Sequence, residues 1–159
     1  METVQTLIHK SPSYIRLNAS SICQLRCSCC GLQISNIVEK ISGKGFLKFE
    51  NFEKFIRDNP SIKKIELSHN GEIFLNPDIL KILKFAYENE IELVADNGSN
   101  LNDVNEEVLE GLVKYKFRSL NCSIDGATDE IYKIYRINGN LNKVINNIKK
   151  INYYKEKYN

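Results

Sequence analysis

Two spacings of apolar residues alternate along the chain. Short runs with an apolar residue at about every second place predict strands over Tyr14–Asn18, Lys63–Ser68, Ile91–Ala95 and Leu120–Ile124. Between them, apolar residues recur at intervals of three and four. Phe49, Phe52 and Phe55-Ile56 predict a helix that Pro60 ends. Ile79, Leu80, Ile82, Leu83 and Ala86 predict another from Asp78 to about Asn89, opened by Asn76 as N-cap with Pro77 in the first turn. Val104, Val108, Leu109, Leu112 and Val113 predict a third over Asp103 to Tyr115, and helical patterns return over Thr128–Tyr135 and Asn142–Tyr158. Residues 1–12 read as a lead-in ending at Pro12. Residues 32–48 read as irregular chain with at most a helical turn near Ile34–Ile41.

Strands that alternate with helices predict an α/β fold of about four βα units, with parallel strands joined by right-handed crossovers. Ligand chemistry in such sheets gathers on loops beyond the C-terminal strand ends. A cysteine-rich loop, His69–Glu72, Asp96–Gly98 and Asp125-Gly126 all fall there. The concentration of polar loops on one edge predicts a site at that edge.

Composition narrows this picture. A chain of 159 residues suits one domain, here residues 13–159, and 42% hydrophobic with 26% charged residues is a globular balance. A net charge of +2 gives no basis for a nucleic-acid or anionic-membrane partner. No apolar stretch reaches membrane-spanning length, and Met1–Lys10 has no signal-peptide core. Five cysteines, four of them crowded together, argue against disulfides and for a reducing cytoplasm.

Those four lie in Cys23-Gln24-Leu25-Arg26-Cys27-Ser28-Cys29-Cys30. Thiols this dense ask for a soft metal or a redox task. Cys23, Cys27 and Cys30 form C-x3-C-x2-C, three thiolates for a four-iron cluster, which would leave one iron open for a substrate or cofactor. A zinc knuckle drawn from Cys23, Cys27, Cys29 or Cys30, with or without a His from elsewhere, is the alternative, although structural zinc usually takes two separated ligand pairs. Plain readings stand beside the other loops as well. Glu72 could be a solvated turn acid, Gly71 and Gly98 turn glycines, Ser123 a core hydroxyl, Asp125-Gly126 a turn or cap, and Arg136 a surface ion-pair residue. His69 reads as a loop histidine without a ligand role, Cys122 as inert core, and Tyr153, Tyr154 and Tyr158 as a helix face without a cover.

The ordered loops resemble the radical S-adenosylmethionine (radical SAM) enzyme family. Cys23-x3-Cys27-x2-Cys30, filled by Gln24-Leu25-Arg26, is similar to that family's cluster motif. Asn70-Gly71-Glu72 followed by Leu75-Asn76-Pro77-Asp78 resembles its Gly-Gly-Glu-proline stretch. Asn97-Gly98 resembles Thr-Asn-Gly, and Ser123-Ile124-Asp125-Gly126 with Arg136 resembles Ser-x-Asp-Gly…Arg. The likeness covers about residues 13–150, and its style is that of the SPASM-containing subgroup.

That resemblance implies a partial parallel (βα) barrel and two cofactors, a 4Fe–4S cluster and S-adenosylmethionine. Cys23, Cys27 and Cys30 would hold three irons, and the methionine part of S-adenosylmethionine would chelate the fourth. Glu72 would accept from its ammonium, Gly71 would allow close approach, Ser123 would face the ribose and Arg136 would pair with the carboxylate. Asn70, Asn97 and Asp125 would complete the cofactor wall. Reductive cleavage of the sulfonium, fed by a flavodoxin- or ferredoxin-like electron donor, would give a 5′-deoxyadenosyl radical that abstracts a substrate hydrogen. A peptide or protein substrate is implied by the subgroup. The sequence departs from the family at Asn70, in place of the first glycine, and at Cys29, in place of an aromatic residue. It also has four units where the family has about six, so truncation at the C-terminal side is expected. The reading from another class is a non-catalytic metal-binding module, either a zinc knuckle or a cluster-carrying remnant.

Overall fold

The computed structural model describes residues 11–34 and 37–158, without the side chains of residues 33, 34, 37, 38 and 42. The lead-in expected before residue 11, and residues 35–36 of the anticipated helical turn, lie outside that description. Four strands, β1 (Tyr14–Arg16), β2 (Lys64–Glu66), β3 (Glu92–Ser99) and β4 (Ser119–Cys122), form one parallel sheet in the order β1-β2-β3-β4. Between them run the helices α1 (Gly31–Ile34), α2 (Ile37–Ser42), α3 (Phe49–Asp58), α4 (Ile79–Glu88) and α5 (Glu106–Lys114), and α6 (Asp129–Tyr135) and α7 (Leu141–Tyr158) follow β4. This is the expected α/β partial barrel.

Strand alternation divides the sheet into two chemically distinct faces. Ile65, Leu67, Leu93 and Ala95 belong to the core, with Ile15, Leu17 and Leu120 packed against it. They meet Phe52 and Ile56 of α3, Ile79, Ile82, Leu83, Phe85 and Ala86 of α4, and Val108, Leu109 and Leu112 of α5. Each large side chain buried this way contributes about 1.5–3 kcal/mol. The other face is more polar, with Val94 buried on it between Glu66 and Ser119: Lys64 lies over the Tyr14 ring, and Ser119 donates to the Asp96 carboxylate.

Element boundaries differ from the sequence reading for identifiable reasons. The β2 ladder stops at Glu66 because the next amide on that side, Ser68 N–H, donates to the Glu66 carboxylate at 2.7 Å. β3 instead runs through Asp96–Ser99, expected as loop. Its irregular stretch is bridged by Asn121 Nδ2 donating to the Asp96 carbonyl, and pairing resumes where Ser99 O accepts Ser123 N–H at 2.9 Å. Asn76 is not the N-cap of α4; that place belongs to Asp78. Asn76 is buried, accepts Asp78 N–H at 2.8 Å, and donates to the carbonyls of Ala19 and Leu47. Its Nδ2 braces the loop after β1, while its Oδ1 holds the turn that leads into α4. The tyrosine-rich end of α7 is covered in part by α5: Tyr154 is buried and donates to Glu106, and Tyr158 donates to Glu110. Among the described residues, no helix is long and apolar enough to cross a membrane.

Candidate cofactor and metal site

The cysteine loop leaves β1 and is pinned at several places. Leu25 is buried at its middle, Arg26 N–H donates to the Ile137 carbonyl at 3.0 Å, and Cys30 N–H donates to the Cys27 carbonyl at 3.1 Å. The turn after β2 holds its start. Glu72 N–H donates to the Ile22 carbonyl at 2.8 Å. That contact requires Gly71, whose φ is +63° and whose missing Cβ would lie 2.5 Å from the Ser20 carbonyl oxygen. The close approach that Gly71 makes in this structure is therefore to the chain's own loop.

One cavity of about 310 Å³ opens at the C-terminal edge of the sheet, the lower end of the range for small-molecule sites. Its walls include Cys23, Cys27 and Cys30, then Asn70, Gly71 and Glu72, then Asn97 and Gly98, with Ser123 and Arg136 closing one side. His69 also lines it, with an exposed side chain. Asp125 does not; it stands beside the cavity as the ion-pair partner of Arg136. Cys29 is exposed and off the wall. Cys122 is half-buried at a groove between β4 and α7. A wider groove of about 850 Å³ lies against the N-terminal half of α7, away from the thiols.

Glu72 is the most enclosed ionisable group on this wall, 2% exposed. Its Oε1 accepts the Ser99 hydroxyl at 2.6 Å and Phe74 N–H at 3.3 Å, and its Oε2 accepts Asn100 N–H at 2.7 Å. Burial pushes its pKa above the ordinary carboxylate value, against the lowering effect of those three donors and the more distant Arg136. A carboxylate has about four acceptor sites, so capacity remains for one cationic donor from the cavity.

Burial likewise pushes the Cys23 thiol to about 11, with the charges of Glu72, Cys27 and Cys30 adding to the effect. Thiolates crowded beside a carboxylate resist ionising together, and a multiply charged metal centre is what would favour them. Arg136 supplies one positive group, its Nη1 lying 3.5 Å from Cys27 Sγ while its Nε donates to Asp125. Among the described residues, no three His, Cys, Asp or Glu side chains converge on one point as a single zinc requires. Three thiols on one cavity wall, with a cationic Arg136 beside them, are the donor chemistry by which iron–sulfur clusters are held.

Sequence reading passed over Ser99 and Asn100. Both are buried, and both belong to the grip on Glu72. Asn100 also reaches the thiols, with Nδ2 3.7 Å from Cys23 Sγ and its amide paired to that of Gln24. Gly98 makes room on the opposite wall: its φ is +104°, and a Cβ there would fall 2.6 Å from Ser123 Oγ.

Residues 17–155 match the family model of the Radical SAM superfamily. The chain belongs to this superfamily. Radical SAM enzymes use a 4Fe–4S cluster and S-adenosylmethionine. SuiB from Streptococcus suis has a similar fold, at a TM-score of 0.71 and 18% identity over 90% of this chain and 31% of that one. The same protein has been solved bound to S-adenosylmethionine. Methylornithine synthase (PylB) follows at TM-score 0.56 and 13% identity, over 89% of this chain and 41% of that one. BtrN in complex with AdoMet and 2-DOIA has a TM-score of 0.53 and 17% identity, over 67% of this chain and 43% of that one. The chain thus spans 31–43% of the length of these structures. No curated protein matches it.

Proposed function

We propose that this chain carries the cofactor-binding part of a radical SAM enzyme, with Cys23, Cys27 and Cys30 as the cluster ligands. The supporting observation is that these three thiols share one small cavity with the buried, incompletely saturated carboxylate of Glu72. When bound, the cluster and S-adenosylmethionine supply one-electron reductive cleavage of the sulfonium and a radical able to take a hydrogen from substrate.

The chain's residues bind and orient. Glu72 receives the ammonium of the methionine part, held in place by Ser99 and Asn100. Arg136 meets the carboxylate as a planar donor, with Asp125 fixing its guanidinium. Ser123 faces the ribose beside Gly98, and Asn70 and Asn97 line the remaining wall. Leu25, buried at the middle of the cysteine loop, anchors it. A flavodoxin- or ferredoxin-like protein is the proposed reductant.

The proposed substrate class is a peptide or protein. Motif style supports this, as does the likeness in fold to SuiB, which has been solved bound to precursor peptide SuiA at TM-score 0.65. The test is incubation of the reconstituted protein with reductant and S-adenosylmethionine. Methionine and 5′-deoxyadenosine should form, and the Cys27→Ala variant should form neither. A reconstituted protein that leaves S-adenosylmethionine intact would favour the non-catalytic cluster-carrying reading.

A further inference from the structure

Asn100 touches both halves of the candidate site. Its backbone N–H donates to Glu72 Oε2 at 2.7 Å, and its side-chain Nδ2 lies 3.7 Å from Cys23 Sγ. The residue is 4% exposed, and its amide is held from two directions. Its Oδ1 accepts from Gln24 Nε2 at 3.1 Å and from Asn102 N–H at 2.9 Å, while Nδ2 also reaches Gln24 Oε1 at 3.3 Å. The Asn102 contact closes a local turn. It also fixes which edge of the amide faces the sulfur, since Asn102 N–H can be met only by Oδ1.

Resting on the cluster reading above, we propose that Asn100 is a positioning residue that sets the properties of the Cys23 thiolate and couples it to Glu72. An N–H aimed at a ligand sulfur stabilises negative charge there. Reduction adds negative charge to a cluster, so such a donor raises its reduction potential. The same residue holds the carboxylate proposed to receive the cofactor's ammonium. One residue, through its backbone N–H and its side-chain amide, therefore links the acid end of the site to its sulfur end.

The two functions of the amide separate in Asn100→Asp. Aspartate keeps an acceptor for Asn102 N–H, so the turn survives, but it has no N–H for Cys23 and brings a negative charge. The measurements are the midpoint potential and electron paramagnetic resonance (EPR) spectrum of the reconstituted protein, iron retention against a chelator, and thermal unfolding. We expect a melting temperature close to that of the parent, a more negative midpoint potential, an altered EPR spectrum and about tenfold easier iron loss. A potential and spectrum equal to the parent's would overturn the proposal and leave Asn100 as a turn residue.

Should Asn100→Asp fail to fold, Asn100→Ser carries the same readout. Its hydroxyl can still accept Asn102 N–H while the amide N–H toward Cys23 is gone, so the potential should again fall; an unchanged potential there refutes the proposal. A parent protein that takes up no cluster would remove the underlying reading itself, an outcome distinct from a cluster whose potential ignores Asn100.

Discussion

The Ser99 hydroxyl donates to Glu72 Oε1 at 2.6 Å, across the gap between the ends of two neighbouring strands. With Asn100 N–H on the other oxygen, it holds a nearly inaccessible carboxylate toward the cysteine cavity. Burial raises the pKa of that carboxylate. A ligand ammonium requires the ionised form, so affinity should fall on acidification sooner than it would for an ordinary glutamate. Binding of S-adenosylmethionine to the reconstituted protein should weaken as pH drops toward the raised value, and Glu72→Gln should bind weakly at every pH. Equal affinity in parent and variant would take Glu72 out of the site.

Gly71 gives a prediction about assembly. Its φ of +63° and the 2.5 Å approach to Ser20 O leave no place for a methyl group. Gly71→Ala should cost about 1–3 kcal/mol and reduce iron loading by shifting the start of the cysteine loop. Gly31→Ala has open space around it and should stay within about 0.5 kcal/mol. Thermal or urea unfolding of the two variants makes the comparison.

Asn76 separates two roles that look alike in the sequence. Asn and Asp serve almost equally well as helix N-caps, so a cap would tolerate Asn76→Asp. As a brace, Asn76 uses its Nδ2 to satisfy two carbonyls, those of Ala19 and Leu47. Asn76→Asp removes that donor and should destabilise by about 1–3 kcal/mol, much as Asn76→Ala does. A near-neutral Asn76→Asp in urea unfolding would restore the cap reading.

What could be read from the chain and what could not divide along physical lines. Strand and helix periods set the four parallel strands, because apolar spacing reports directly on which face is buried. The loops carrying Cys23, Glu72, Gly98 and Ser123 followed from strand ends, which any α/β alternation locates. Ser99 and Asn100 were hidden because they follow Asp96-Asn97-Gly98, a run with turn chemistry that nonetheless continues as strand. Their partner, Glu72, is a long way off in sequence, and no local period encodes a hydrogen bond between loops. Asn76 misled for a related reason: an Asn-Pro-Asp run signals a helix start, while the side chain's long-range partners are invisible until the chain is folded.

The cysteine assignment has its own test. Cys27 is buried on the cavity wall, whereas Cys29 is exposed and off it. Cys27→Ala should abolish cluster uptake, and Cys29→Ala should retain nearly all of it, as read by iron and sulfide content per chain. The reverse pattern would place the ligand set elsewhere.

The central claim is that three thiols hold a cluster whose remaining iron is open to S-adenosylmethionine. Anaerobic reconstitution with iron and sulfide, followed by EPR of the reduced protein with and without S-adenosylmethionine, tests it most directly. A reduced 4Fe–4S signal that shifts when the cofactor is added is the expected result. Uptake of one zinc per chain with no cluster signal, or a cluster signal indifferent to S-adenosylmethionine, would contradict it.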